Sequence, residues 1–235
     1  MQPVIKMKRF YYISVLLLVI SSAHCQIHEL GVFAGGSNFI GDVGKTDYIA
    51  PNKFAFGALY KWNKSPRFAW RFSVMHSTLK ADDAESEVSS RIERDYSFEN
   101  TVTDVTAGFE FNFLHFNLHE SGFKATPYVH LGLSYFLSEK LYVDQKQYKK
   151  VGSSRSGGIA IPMVVGYKFR LTDNFILGLE TGARYTFKDD IDGSFPKNKD
   201  LEGLKFGNLN SNDWYVFTGA TLTYTFGIKP CYCKE

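Results

Sequence analysis

The sequence predicts an all-β protein: an eight-stranded antiparallel transmembrane β-barrel with long external loops and short periplasmic turns. Three observations predict it. Apolar residues recur at every second position in about eight separate stretches, the period of a strand whose side chains point alternately to two faces. The chain opens on a segment built like a secretion signal. The stretches are joined by connections that alternate long and short, the rhythm of an outer-membrane barrel with both termini on the periplasmic side.

Composition agrees. The chain has 235 residues, with 21 Phe, 14 Tyr and 20 Gly, and aromatics make up 16%. That suits one barrel with aromatic girdles. The net charge of +3 gives no long-range attraction to nucleic acid. Mean hydropathy is −0.19, near neutral because alternating strands average out.

Residues 1–25 read as a signal peptide. Lys6, Lys8 and Arg9 form a basic start, Tyr11 to Ile20 a short apolar run, and Ser21 to Cys25 the cleavage region. Cleavage is expected between Cys25 and Gln26. The rival is a lipoprotein signal with Cys25 acylated, against which stands His24, where a small residue is expected. The apolar run is short for a membrane helix and no other segment is a candidate, so spanning would require a closed barrel. The barrel is expected over residues 26–228, followed by a periplasmic tail, 229–235.

The first strand is expected over His28 to Gly35, with Leu30, Val32 and Ala34 on one face. A long Gly- and Asp-rich loop leads to the second, Phe54 to Trp62, which sets Phe54, Phe56, Ala58, Tyr60 and Trp62 on one face. After the tight Asn63–Pro66 turn, the third runs from Arg67 to Leu79, Phe68, Trp70, Phe72 and Val74 opposing Ala69, Arg71 and Ser73. A charged loop over Lys80 to Arg94 precedes the fourth, where Val105, Ala107, Phe109, Phe111 and Phe113 oppose Asp104, Thr106, Gly108, Glu110 and Asn112. A short connection near His119 to Lys124 leads to the fifth, Val129 to Leu137, and a long loop over Glu139 to Ser156 follows. The sixth, Ile159 to Phe169, and seventh, Phe175 to Phe187, are joined tightly at Arg170 to Asn174. The longest loop, Lys188 to Asp213, precedes the eighth, Trp214 to Ile228.

If the apolar faces meet lipid, the opposite faces meet the interior. They carry Arg71, Glu110, Lys168, Glu180 and Arg184 among Thr, Ser and Gly. Eight strands leave an interior just wide enough for side chains, so buried charges must pair, and the expectation is a plug of ion pairs and hydrogen bonds that closes the barrel or nearly so, rather than a narrow charged pore.

Catalytic and metal chemistry find little support. His115 and His119 lie near a turn beside Glu120, without further ligands at zinc spacing. His28, His76 and His130 are scattered. Loop acids Asp82, Asp83, Asp189, Asp190 and Asp192 lack the spacing of a calcium-binding EF-hand loop, so solvated loop charge is the default reading. No Ser or His stands in a catalytic motif. The chain is expected not to be an enzyme and to take no cofactor, no metal and no small-molecule substrate.

Cys231 and Cys233 flank Tyr232 in the tail. In an oxidising compartment three readings stand: a strained bond within the pair, a metal or redox role, or a covalent bond to a partner.

Five segments carry a family resemblance: GVFAGGSNFIGDVG (Gly31 to Gly44), TPYVHLGLSYF (Thr126 to Phe136), IAIPMVVGYKFRL (Ile159 to Leu171), LGLETGARYTFKDDID (Leu177 to Asp192) and WYVFTGATLTYTFGIKPCYC (Trp214 to Cys233). On these the chain resembles the PorG-like outer-membrane barrels of the Bacteroidota type IX secretion system. The resemblance implies a structural role in protein secretion, and in gliding motility where present. It would anchor a periplasmic ring, built from a lipoprotein and its ring partner, to the outer membrane. The ring lipoprotein would then be the disulfide partner of Cys231 or Cys233. The alternative is a small OmpX/OmpW-like barrel that passes or shelters a small apolar solute.

Overall fold

Period-two alternation becomes a wall with two unlike faces. The structure, a computed structural model, describes residues 27–120, 122–144, 147–194, 203–208 and 211–227. Eight strands close into one antiparallel barrel: β1 (Ile27–Ile40), β2 (Lys53–Asn63), β3 (Phe68–Asp82), β4 (Ser97–Asn112), β5 (Ala125–Asp144), β6 (Gln147–Arg170), β7 (Phe175–Thr186) and β8 (Trp214–Phe226). Each pairs with its sequence neighbours, and β8 returns to β1 in a register that sets Ala34 opposite Ala220. Closure removes the free edges that an open sheet would expose.

Outward positions carry large apolar side chains left open to the surroundings. Among them are Leu30, Val32, Phe54, Phe56, Trp70, Phe72, Val105, Phe109, Leu133, Tyr135, Val165, Leu179, Leu222 and Tyr224. Aromatics concentrate toward the strand ends, as in the outward run of β2 from Phe54 to Trp62. Eight residue steps span roughly 27 Å along the strand, or about 20 Å of height once it tilts. Inward positions are buried and mostly polar.

The ends of the barrel differ from expectation in three places. Residues 139–156 are not a long loop: β5 and β6 run on as a tall hairpin to Asp144 and from Gln147, with a register shift between Glu139 and Leu141. Alternation there involves Lys, Tyr and Ser, without the apolar face that marks a strand in sequence. The connection from β4 to β5 is not short. It covers residues 113–124, as many as the β1–β2 connection, 41–52. Its length is used to fold Phe116 and Leu118 back under the barrel, where they pack with Ile27 and Ile176. The charged β3–β4 segment is ordered rather than a plain loop. β3 continues to Asp82, a 3-10 turn covers Asp83–Glu85, and a short helix α1 covers Ser89–Arg94.

The cleavage pair Cys25 and Gln26 and the tail cysteines Cys231 and Cys233 lie outside the described residues. Among the described residues, no helix is long and apolar enough to cross a membrane.

Candidate functional site

The lumen is the part of the molecule built most deliberately, and it is built in layers. At its middle, six successive strands each send one polar side chain inward. Arg71 of β3 grips Glu180 of β7 with two parallel bonds, Nη1 to Oε2 at 2.8 Å and Nη2 to Oε1 at 2.7 Å. Such a fork on a carboxylate fixes geometry as well as charge. The Tyr128 hydroxyl of β5 donates to the same Glu180 carboxylate. Beside it, Glu110 of β4 is fully buried and faces three cations. Lys168 Nζ of β6 lies 2.6 Å from its Oε1, Lys61 Nζ of β2 lies 2.8 Å from its Oε2, and Arg71 Nη1 is 3.5 Å away.

Arg184, the fifth inward charge picked out in sequence, does not join this pairing. It is 2% exposed, donates from Nη1 to the carbonyl of Gly182, two residues before it, at 2.6 Å, and lies 4.7 Å over the Phe217 ring. The expectation that every interior charge finds an opposite charge is therefore corrected at this position. A backbone carbonyl and an aromatic face take the role of the anion.

Several inward polar groups escaped sequence reading. Lys61 sits between Leu59 and Asn63 on a β2 face that also carries Ala55, so that face reads as a second apolar one. Tyr128 and Tyr215 were hidden among aromatics that elsewhere face outward. Tyr215 Oη donates to Asp104 Oδ2 at 2.7 Å, and Thr106 Oγ1 to Asp104 Oδ1 at 2.7 Å. Ser134 also donates to Asp104. Nearer the short-turn end, Glu29 accepts from Asn63 Nδ2 at 2.9 Å and from Thr223 Oγ1 at 2.8 Å.

Both ends of this polar column are shut. Above it, Met75, Phe136, Ala160, Phe217, Leu79 and Val102 belong to an apolar cluster that reaches the rim residues Phe39, Val43, Phe98 and Ile191. Below it, the β4–β5 connection closes the floor. Arg170 ties that connection down through the carbonyl of Glu120, with further bonds to the Leu118 carbonyl at 3.4 Å and the Asp173 carbonyl at 3.0 Å. A groove of about 730 Å³ lies on the wall rather than in the lumen, where Ile49 reaches over Val165, Leu179, Thr181, Thr218 and Ala220.

The histidines keep local company. His28 Nδ1 is 2.7 Å from the Tyr60 hydroxyl, His76 Nδ1 is 3.0 Å from Thr103 Oγ1, and His130 Nδ1 is 3.1 Å from the Phe109 carbonyl. Among the described residues, no group of three His, Cys, Asp or Glu side chains is placed to hold a metal ion.

The family model described as a domain of unknown function, DUF6089, matches residues 8–235. The chain belongs to this family. No curated protein matches the sequence. Among solved structures, Ail of Yersinia pestis is similar at 12% identity, with 86% of this chain and 99% of that one covered and a TM-score of 0.47. A major outer membrane protein of Thermus thermophilus is similar at 13% identity, covering 86% and 100%, with a TM-score of 0.43. The outer membrane protein OprG of Pseudomonas aeruginosa is similar at 8% identity, covering 87% and 97%, with a TM-score of 0.41. Likenesses this distant carry no functional argument.

Proposed function

We propose that the chain is an integral outer-membrane protein whose barrel is an anchor, not a conduit. One observation carries the reading: an outer wall of exposed apolar side chains encloses a lumen packed with paired charges and closed at both ends. An exposed apolar surface around a whole closed barrel is costly in water and favourable in lipid. A filled lumen offers no route to an ion or a solute. In this reading the chain is not an enzyme, and its termini face the periplasm.

What it would anchor is suggested by the resemblance to PorG-like barrels. The partner is then the periplasmic ring of a type IX secretion system, reached through the ring lipoprotein, with Cys231 or Cys233 as the covalent contact. The test is a pull-down from mildly solubilised outer membranes, with and without reductant. A ring lipoprotein recovered as a reductant-sensitive adduct is the expected result. Recovery insensitive to reductant keeps the anchor and discards the cysteine bond. A lone barrel, with normal secretion in the deletion strain, overturns the anchor and favours the small OmpX/OmpW-like reading. For that reading the groove under Ile49, not the lumen, is the available apolar surface.

A further inference from the structure

At the long-loop rim, the β7–β8 connection meets the β1–β2 connection at Gly41 and Asp42. Asp192 and Asp213 are both 0% exposed there, and Asp42 is 7% exposed. Asp192 is therefore not the solvated loop charge that the sequence suggests. Asp192 Oδ1 accepts the Ser194 amide at 2.9 Å, and its carboxylate lies near Asp42. Asp213 Oδ2 accepts the Ile191 amide at 2.9 Å. Its Oδ1 points at Gly41, so closely that a Cβ on that glycine would lie 2.7 Å from it. Asp42 Oδ2 accepts the Asn208 amide at 3.1 Å. Two carboxylates from one connection thus converge on two adjacent residues of another.

Asp192 Oδ2 and Asp213 Oδ1 are buried with no hydrogen-bond partner among the described residues. The rim arginines are committed elsewhere. Arg94 holds Asp83, itself 0% exposed, with Nε 2.7 Å from Oδ2, and also bonds the Asp42 carbonyl. Arg91 donates to the carbonyls of Gly41 at 3.0 Å and Gly44 at 2.6 Å. Where the chain wants its own cation against a buried rim acid it supplies one, as at Asp83. At Asp192 and Asp213 no ion pair is formed among the described residues, and Asp192 itself adds negative charge beside Asp213. Burying unpaired carboxylates is expensive.

We propose that Asp192 and Asp213 bind a divalent cation of the calcium type, which ties the β7–β8 connection to Gly41 and Asp42 across the mouth of the barrel. The donor set is oxygen only, which selects a hard cation. Calcium accepts six to eight oxygens in irregular geometry, including backbone carbonyls and water, so two carboxylates are enough to found a site. Magnesium demands a near-ideal octahedron and is the poorer fit.

The test uses the full chain folded in detergent and stripped with a chelator. Trp214 adjoins Asp213 and serves as the donor for sensitised Tb³⁺ luminescence. Tb³⁺ is expected to bind and to be displaced by Ca²⁺ with a Kd on the order of 10⁻⁴–10⁻³ M, and far less by Mg²⁺. Saturating Ca²⁺ is expected to slow proteolysis within residues 187–213 about tenfold. Asp192→Asn and Asp213→Asn should each weaken displacement about tenfold, while Glu99→Gln, at an exposed carboxylate elsewhere on the rim, should not. Absence of a displaceable Tb³⁺ signal in the wild type overturns the proposal, whether or not the variants fold. So does an equal loss in Glu99→Gln, or Ca²⁺ protection that persists in the double variant.

Discussion

Glu110 is the residue on which the lumen's charges depend. It is fully buried and faces Lys61, Lys168 and Arg71 at once. Replacing it with Leu leaves three ammonium and guanidinium groups without their shared anion. Breaking a buried pair from one side typically costs about 3–5 kcal/mol. Urea unfolding in lipid vesicles, read by the gel mobility of the unheated barrel, should show a loss of that size. The Arg71–Glu180 fork makes the complementary case. Glu180→Met alone should be strongly destabilising, but Arg71→Met combined with it should recover part of the loss, because removing both partners removes the stranded charge. A double variant as weak as the sum of the singles would deny the coupling that the 2.7 and 2.8 Å contacts imply.

At the scale of elements, what the sequence could convey depended on burial of one face. β4, β7 and β8 read cleanly because their alternation sorts aromatics and aliphatics from Thr, Gly and charge. The β5–β6 hairpin beyond the wall did not, because its sequence shows no regular alternation of apolar with polar residues. The β4–β5 connection misled for the opposite reason: its apolar residues, Phe116 and Leu118, belong to a floor rather than to a strand. Loop acids read as solvated because sequence carries no record of which loops fold over one another. The β7–β8 connection shows the consequence. Burial, followed by the charge of Asp42, raises the Asp192 carboxyl to about 6, and burial with Asp192, Asp189 and Asp190 raises Asp213 well above the usual carboxylate range. A folded-state pKa above the unfolded value favours the protonated form in the folded loop. Loop stability is therefore fully present at low pH and lost as pH rises through about 6. For Asp192 the difference from an ordinary 3.8 is on the order of 3 kcal/mol. In chelator, hydrogen-exchange protection of residues 187–194, corrected for intrinsic rates, should fall between pH 5 and 7.5. Asp213→Asn should reduce that fall, and a flat profile in the unsubstituted chain would refute the burial argument.

For the whole molecule, the outer belt and the inner column pose one physical question: whether a barrel with a polar interior conducts. Strand number and the alternation of faces were legible in the sequence, and with them a lumen of fixed width. The two apolar seals were not, since they are assembled from residues far apart, such as Phe39 with Phe98 and Ile27 with Ile176. Those seals make the prediction firmer than paired charges alone would. An ion crossing the barrel would have to pass Phe136 and Phe217 at one end and Phe116 and Leu118 at the other, each nearly inaccessible. It would also have to displace a carboxylate from Lys61 or Arg71. In planar bilayers the purified barrel should show no steady conductance above the bare membrane. Phe116→Ala combined with Leu118→Ala opens the floor but leaves the Glu110 and Glu180 pairs in place, so it too should remain silent. Conductance in that double variant would mean that the floor, not the charge column, is the barrier. Steady conductance in the unsubstituted barrel would remove the basis for reading it as an anchor.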